Sequence, residues 1–200
     1  MSIPYRQIRA AFTDEAITVY QAYGPAVAGP AVRAQRFVPP FKRERMTWIK
    51  PSFLWMMYRC GWATKPGQTR VLAIDITREG FAWALEHSCL SHPDAGTDHE
   101  VWKKRLRESP VRIQWDPERD PHHHALPHRS IQIGLSGVAV ARYVDQWILG
   151  ITDLTDRVRD IRQALHDGKD VTEMLPVERP YPLPARLAEA IGASTAPALG

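Results

Sequence analysis

The hydrophobic pattern is most distinctive at Phe53–Met57, five consecutive apolar residues preceded by Pro51 and Ser52 and followed at a distance by Gly61. Proline suits a first helical turn and glycine the left-handed residue that ends one, so Ser52–Cys60 reads as a single short helix, apolar all round and therefore buried. Just before it, Arg45–Lys50 alternates like a half-buried strand, with Met46, Trp48 and Lys50 on one face and Thr47 and Ile49 on the other. Gln68–Ile76 reads as a central strand, and Arg78–His87 as a helix capped by Thr77. Val111–Trp115 and Arg129–Leu135 alternate as two further strands, and the Pro- and His-rich interval 118–128 reads as a loop.

Helical spacing dominates elsewhere. Thr13 followed by Asp14 and Glu15 resembles an N-cap with an acidic first turn, so a helix is expected to about Tyr23 after a short strand within Tyr5–Phe12. Ala26–Gln35, His99–Arg107, Val138–Leu149 and Thr152–Asp167 are expected as further helices, the last with Leu154, Val158, Ile161 and Leu165 three and four residues apart. Pro176–Pro184 contains four prolines and should be extended, with one helical turn at Ala185–Ile191 and a frayed tail. Strands mixed with helices, without an internal repeat, predict a single compact α+β domain over 1–175, with a mixed or antiparallel sheet and packed helices. Residues 176–200 are expected as a Pro-rich arm and tail.

Composition changes this picture little. At 200 residues, 44% hydrophobic and 24% charged, the chain suits one globular domain, and no apolar stretch approaches the length of a membrane span. No secretory signal is expected at the polar, basic N-terminus. Two cysteines, Cys60 and Cys89, make no disulfide framework, so a cytoplasmic location is expected. Cys60, within the apolar helix, reads as a small core residue.

Charge is more informative. Residues 31–70 contain nine basic residues and one acidic residue, a local charge of +8, against 17 basic and 21 acidic residues in the remainder. Seven aromatic rings, including Trp48 and Tyr58, are interleaved with these cations. A field of this kind attracts phosphate, and rings beside cations can stack on bases. Arg36, Lys42, Arg43 and Arg45 are the candidate nucleic-acid contacts. No P-loop, dinucleotide fingerprint or nucleophile elbow occurs, which argues against those enzyme classes. His122, His123, His124 and His128 invite a metal reading, but consecutive loop residues rarely converge on one ion, and no metal is expected.

The run Arg45–Trp62, together with Arg6–Ala10, Gln114–Arg119, Arg129–Gly134 and Trp147-Ile148, resembles the family catalogued as domain of unknown function 4291, over residues 5 to about 165. Pro176 onward falls outside that resemblance, and the family name implies no reaction. By fold-level analogy, the order of an Arg-bearing strand, a strand leading into Ser52 and its helix, a further strand and a later carboxylate is similar to the layout of ADP-ribosyltransferases. That likeness implies a nucleotide-dependent transferase using NAD, with nucleic acid or a nucleobase-containing acceptor. Arg9 and Lys50 would hold the pyrophosphate, Ser52 the nicotinamide ribose, Trp48 or Tyr58 a ring, and Glu118 the developing positive charge. The Ser-Thr-Ser strand and paired carboxylates of that superfamily are not evident. The alternative is a non-catalytic module binding RNA, single-stranded DNA or a nucleotide through segment 31–70.

Overall fold

The structure, a computed structural model, describes residues 3–93 and 96–194. The first half holds β1 (Arg9–Ala10), β2 (Ala16–Tyr23), α1 (Pro25–Ala34), β3 (Thr47–Ile49), α2 (Phe53–Cys60), β4 (Arg70–Thr77), α3 (Arg78–Glu86) and β5 (Ser88–Leu90). The second half continues with α4 (His99–Glu108), β6 (Val111–Arg119), β7 (Ala125–Leu135), α5 (Val138–Arg142), β8 (Ile148–Asp153), α6 (Thr155–His166), β9 (Arg179–Pro180) and α7 (Ala185–Ala190). Three sheets result: β2-β4-β8, wholly antiparallel; β3-β7-β6-β5, antiparallel except for the parallel β5-β6 pair; and the small antiparallel pair β1-β9. With its packed helices, this is the single compact α+β domain expected.

The two larger sheets meet along a seam where β2 passes the end of β3. Tyr20 N donates to Lys50 O at 2.7 Å, and Lys50 N to Tyr20 O at 3.3 Å. One core lies among Ile17, Val19, Ile74, Phe81, Ile113, Ile133, Tyr143 and Trp147. A second packs Phe53, Met56, Met57 and Cys60 of α2 against Tyr20, Val158 and Ile161. The expectation that α2 is a buried helix therefore holds for one broad face. Its ends are built as the residues suggest: Ser52 Oγ accepts from Trp55 N at 3.1 Å, and Gly61 adopts φ 59°, a conformation that costs glycine little. Ser52 takes the cap position itself, so Pro51 precedes the helix instead of opening it.

Three expectations are corrected. Residues 16–23 form β2, not a helix, paired with β4 along all eight positions from Ala16↔Thr77 to Tyr23↔Arg70. The β-branched Ile17, Thr18 and Val19 suit a pleated surface, and Thr13 uses its hydroxyl in a turn, accepting from Ala16 N at 3.1 Å. The helix expected over 138–149 ends early. After α5 comes one wide turn at Tyr143–Trp147, and then Ile148–Asp153 form β8, so α6 begins only at Thr155. Ile148 and Ile151 are recruited as strand residues opposite Ile76 and Ile74. The interval 118–128 is mostly strand, with β6 reaching Arg119, β7 starting at Ala125 and a tight turn between them closed by Asp120 N to His124 O at 3.1 Å.

The Pro-rich arm is extended, pairs as β9 with β1, and turns into α7, where Leu187 and Ala188 are buried. Tyr181 packs edge-on against Phe12 and Phe81, and Trp115 Nε1 donates to Ile191 O at 2.8 Å. The frayed tail expected beyond Ser194 lies outside the described residues. Among the described residues, no helix is long and apolar enough to cross a membrane.

Candidate functional site

A cleft of about 950 Å³ opens beside the seam between the two sheets. The outward face of the β6-β7 pair forms one wall. Val111, Ile113 and Trp115 point into the core, which leaves Gln114 and Asp116 on the opposite face with Gln132 of β7 across from them. Asp116 is held there by two amides: Gln132 Nε2 donates at 2.7 Å and Gln114 Nε2 at 2.9 Å. Trp55, Tyr58 and Arg59 of α2 contribute another wall.

The floor is a closed polar network. Buried Gln21 donates from Nε2 to Thr47 Oγ1 at 2.7 Å and to Trp48 O at 3.2 Å, and its Oε1 accepts from Tyr143 OH at 2.7 Å. Tyr23 OH lies 3.0 Å from both Gln21 Nε2 and Thr47 Oγ1. Partners on every side fix the amide, as a buried polar group requires.

Trp48 lies directly over Gly134, its cross-strand partner. A Cβ at 134 would stand 2.9 Å from two indole carbons and 3.0 Å from Met46 Sδ, so the missing side chain is what lets the ring lie against the sheet. Lys50 is the inner cation of the cleft, 5% exposed. Burial, and then the Arg59 charge, lowers its ammonium from the ordinary lysine value to about 8, with Asp116 pulling the other way. Exposed Lys42 and Arg45 line the outer part.

The residues singled out in the sequence are thus divided between two places. Trp48, Lys50, Tyr58, Lys42 and Arg45 line the cleft. Ser52, Glu118 and Arg9 gather elsewhere, around the N-terminus of α2. The Ser52 hydroxyl donates to the Glu118 carboxyl, and Glu118 Oε1 accepts from Arg119 N at 2.8 Å. A bulge between Pro117 and Arg119 breaks the two-residue alternation of β6, so Glu118 does not follow Asp116 into the cleft. Arg9 donates to the backbone carbonyl of Glu178 at 2.9 Å, and the Glu178 side chain accepts from Phe53 N at 2.7 Å. Burial raises both carboxyls; Glu178, also raised by the Glu118 charge, reaches about 8 despite the Phe53 N–H and Arg9.

Among the remaining cations, Arg43 is engaged in a two-pronged pair with Asp145 at 2.7 and 2.8 Å, and Arg36 stands exposed with its charge acting on the same Asp145. The ring of Tyr58 already carries the Arg119 guanidinium 3.9 Å from its centroid and stacks on Trp55 at 5.1 Å. Cys60 is buried, and burial raises its thiol. In the hairpin turn, His124 Nδ1 meets Asp120 Oδ2 at 2.8 Å while His123 stacks on Trp62. Among the described residues, no three His, Cys, Asp or Glu side chains converge as a metal site.

Sequence reasoning missed Gln21, Thr47, Gln114, Asp116 and Gln132. The available signal was that the polar face of β6 and β7 holds amides and one carboxylate where a fully solvated strand face would favour Lys and Glu. Glu178 had no local signal, because a distant segment brings it to α2.

Comparison with curated proteins gives no match. A family model matches residues 7–181, wider than the stretch from 5 to about 165 that carries the resemblance in sequence, and it takes in β9 and Glu178. The chain therefore belongs to the family described as domain of unknown function (DUF4291).

Proposed function

We propose that the cleft binds a nucleotide and that the protein is a transferase moving ADP-ribose from NAD to a nucleic-acid acceptor. The observation that carries this reading is the composition of one cavity. Cations stand on its outer side (Lys42, Arg45) and along α2 (Arg59), an indole lies flat against a sheet, and a single amide-held carboxylate, Asp116, faces the same space. Its volume lies within the range of pockets that enclose small molecules and cofactors.

In this reading the guanidinium groups of Arg45 and Arg59 take the pyrophosphate, a role to which forked donors are suited, and Trp48 takes a ring. Cleavage sends the bonding pair of the ribose C1–nicotinamide bond to the departing nicotinamide and leaves positive charge on the ribose. Asp116 is the negative group placed to stabilise that charge, held in position before the reaction by Gln114 and Gln132. Glu118, buried with Ser52 behind the bulge, supports α2 instead. Arg36, Lys42 and Arg45, all exposed, favour a polyanionic acceptor.

NAD at one hundred times its Kd should stabilise the fold by about 2.7 kcal/mol, and nicotinamide should accumulate when an oligonucleotide acceptor is present. Asp116→Asn should abolish nicotinamide release while keeping the thermal shift. Glu118→Gln should keep both. No shift and no release would refute the reading, and tight RNA or single-stranded DNA binding that weakens steeply with salt, without any NAD effect, would establish the binding-module alternative.

A further inference from the structure

Lys50 is an unusual residue to find at the inner end of a polar cleft. It is almost fully buried, and among the described residues its ammonium makes one hydrogen bond, a long one of 3.5 Å to Trp48 O. A buried charged lysine ordinarily needs a close carboxylate partner or several acceptors. The groups acting on it are Arg59 and Cys60 from α2 and Asp116 from β6. Arg59 opposes its charge. Asp116 favours it, but both oxygens of Asp116 already accept from glutamine amides. The backbone of Lys50 is fixed meanwhile by the two hydrogen bonds to Tyr20, so the base of the side chain is rigidly placed.

We infer that Lys50 Nζ is a nucleophilic amine that condenses with the carbonyl of a phosphorylated aldehyde bound in the cleft. Desolvation together with a neighbouring cation is a known physical route to an amine that is unprotonated near neutral pH. With the amine lowered to about 8, its unprotonated fraction at pH 7 is on the order of 100-fold greater than that of an ordinary lysine. Phosphate is the expected substituent because Lys42, Arg45 and Arg59 line the same cavity.

The chemistry needs no further reagent. The nitrogen lone pair attacks the carbonyl carbon, a C–N bond forms, and the carbonyl oxygen takes up a proton to give a carbinolamine. The nitrogen then gives up a proton, the hydroxyl gains one and leaves as water, and a C=N bond remains. Asp116, facing the same space and acting electrostatically on Lys50, is the group available to relay those protons. This inference goes beyond the nucleotide reading and is independent of it, since imine formation does not require NAD.

Pyridoxal 5′-phosphate serves as the probe, because it joins an aldehyde to a phosphate and its imine absorbs visible light. The full-length protein is incubated with a limiting amount near pH 7, reduced with cyanoborohydride, digested and mapped by mass spectrometry. The label is expected on Lys50 ahead of exposed Lys103, Lys104 and Lys169, with a rate that levels off near pH 8, and inorganic phosphate should compete. Lys50→Arg keeps the charge and should lose the fast phase. Labelling confined to surface lysines of the wild-type protein, or a rate still rising steeply past pH 10, would overturn the inference even if the variant does not fold. The NAD thermal shift is measured separately, so failure of one reading leaves the other intact.

Discussion

Gly80→Ala tests how closely α3 packs against Trp147 in the core. Gly80 is buried in the first turn of α3, where Thr77 Oγ1 accepts from its N–H at 3.1 Å. A Cβ built there would lie 2.3, 2.5 and 2.7 Å from three atoms of the Trp147 indole. Ordinary contact begins near 3.4 Å, so the ring must retreat by about 1 Å in a close-packed interior. Alanine in place of glycine gains at most about 1 kcal/mol of helix propensity, whereas overpacking costs about 1 to 3 kcal/mol and occasionally more. Trp147 is 4% exposed and has little room to yield, which puts the cost toward the upper end of that range. The net expectation is a loss of about 1 to 2 kcal/mol, or a Tm lower by about 2 to 8 °C. Urea unfolding of Gly80→Ala alone and in a Trp147→Leu background measures it, because the alanine should cost less once the rigid ring is gone. An alanine variant as stable as the parent, or an equal cost in both backgrounds, would refute the argument. Trp147 and Tyr143 share the turn before β8, and Tyr143 OH holds Gln21, so the same substitution should also weaken ligand binding in the cleft.

Two further outcomes follow from the site. Glu178 is raised from 4.5 to about 8 by burial, so the folded state prefers its neutral form; this contribution to stability is present in full below pH 4.5 and is lost as pH rises through about 8. Glu178→Gln keeps an acceptor for Phe53 N and cannot ionise, so its Tm relative to wild type should climb from pH 5 to pH 9, and parallel profiles would contradict the assignment. Gly134→Ala should displace the Trp48 indole, weakening ligand binding in the cleft more than it lowers Tm, and unchanged binding would show that the ring takes no part in it.

What could be read from the chain follows the range of the interactions involved. The strand–turn–helix from Arg45 to Gly61 was legible because its signals are local: alternation, a Ser cap and a Gly terminator within 17 residues. Residues 16–23 were misread because Thr13-Asp14-Glu15 imitates a helix cap, and the β-branched run after it is decided only by pairing with β4, more than fifty residues away. Ile148–Asp153 went the same way, its strand character supplied by the other edge of β4. At the site, Trp48 and Lys50 were visible by type and alternation. Simple alternation puts Asp116 and Glu118 on one face of β6, and the bulge at Pro117–Arg119 that turns Glu118 away from the cleft leaves no mark in a two-residue periodicity.

The seam at Tyr20 and Lys50 has a mechanical meaning. Two backbone hydrogen bonds join the sheets there, whereas β2 and β4 are paired along eight residues and β6 and β7 along most of their length. The backbone connection at the seam is therefore narrow beside the ladders within each sheet, and it is reinforced by the Gln21 and Tyr23 side chains bonded to Thr47 and by the core that both sheets share. The cleft opens beside that joint, so the angle between the two sheets sets the width of its opening. A ligand gripped by Trp48 and Arg45 on one side and Tyr23 on the other would brace the joint, and slower amide exchange at Tyr20 and Lys50 would report it directly.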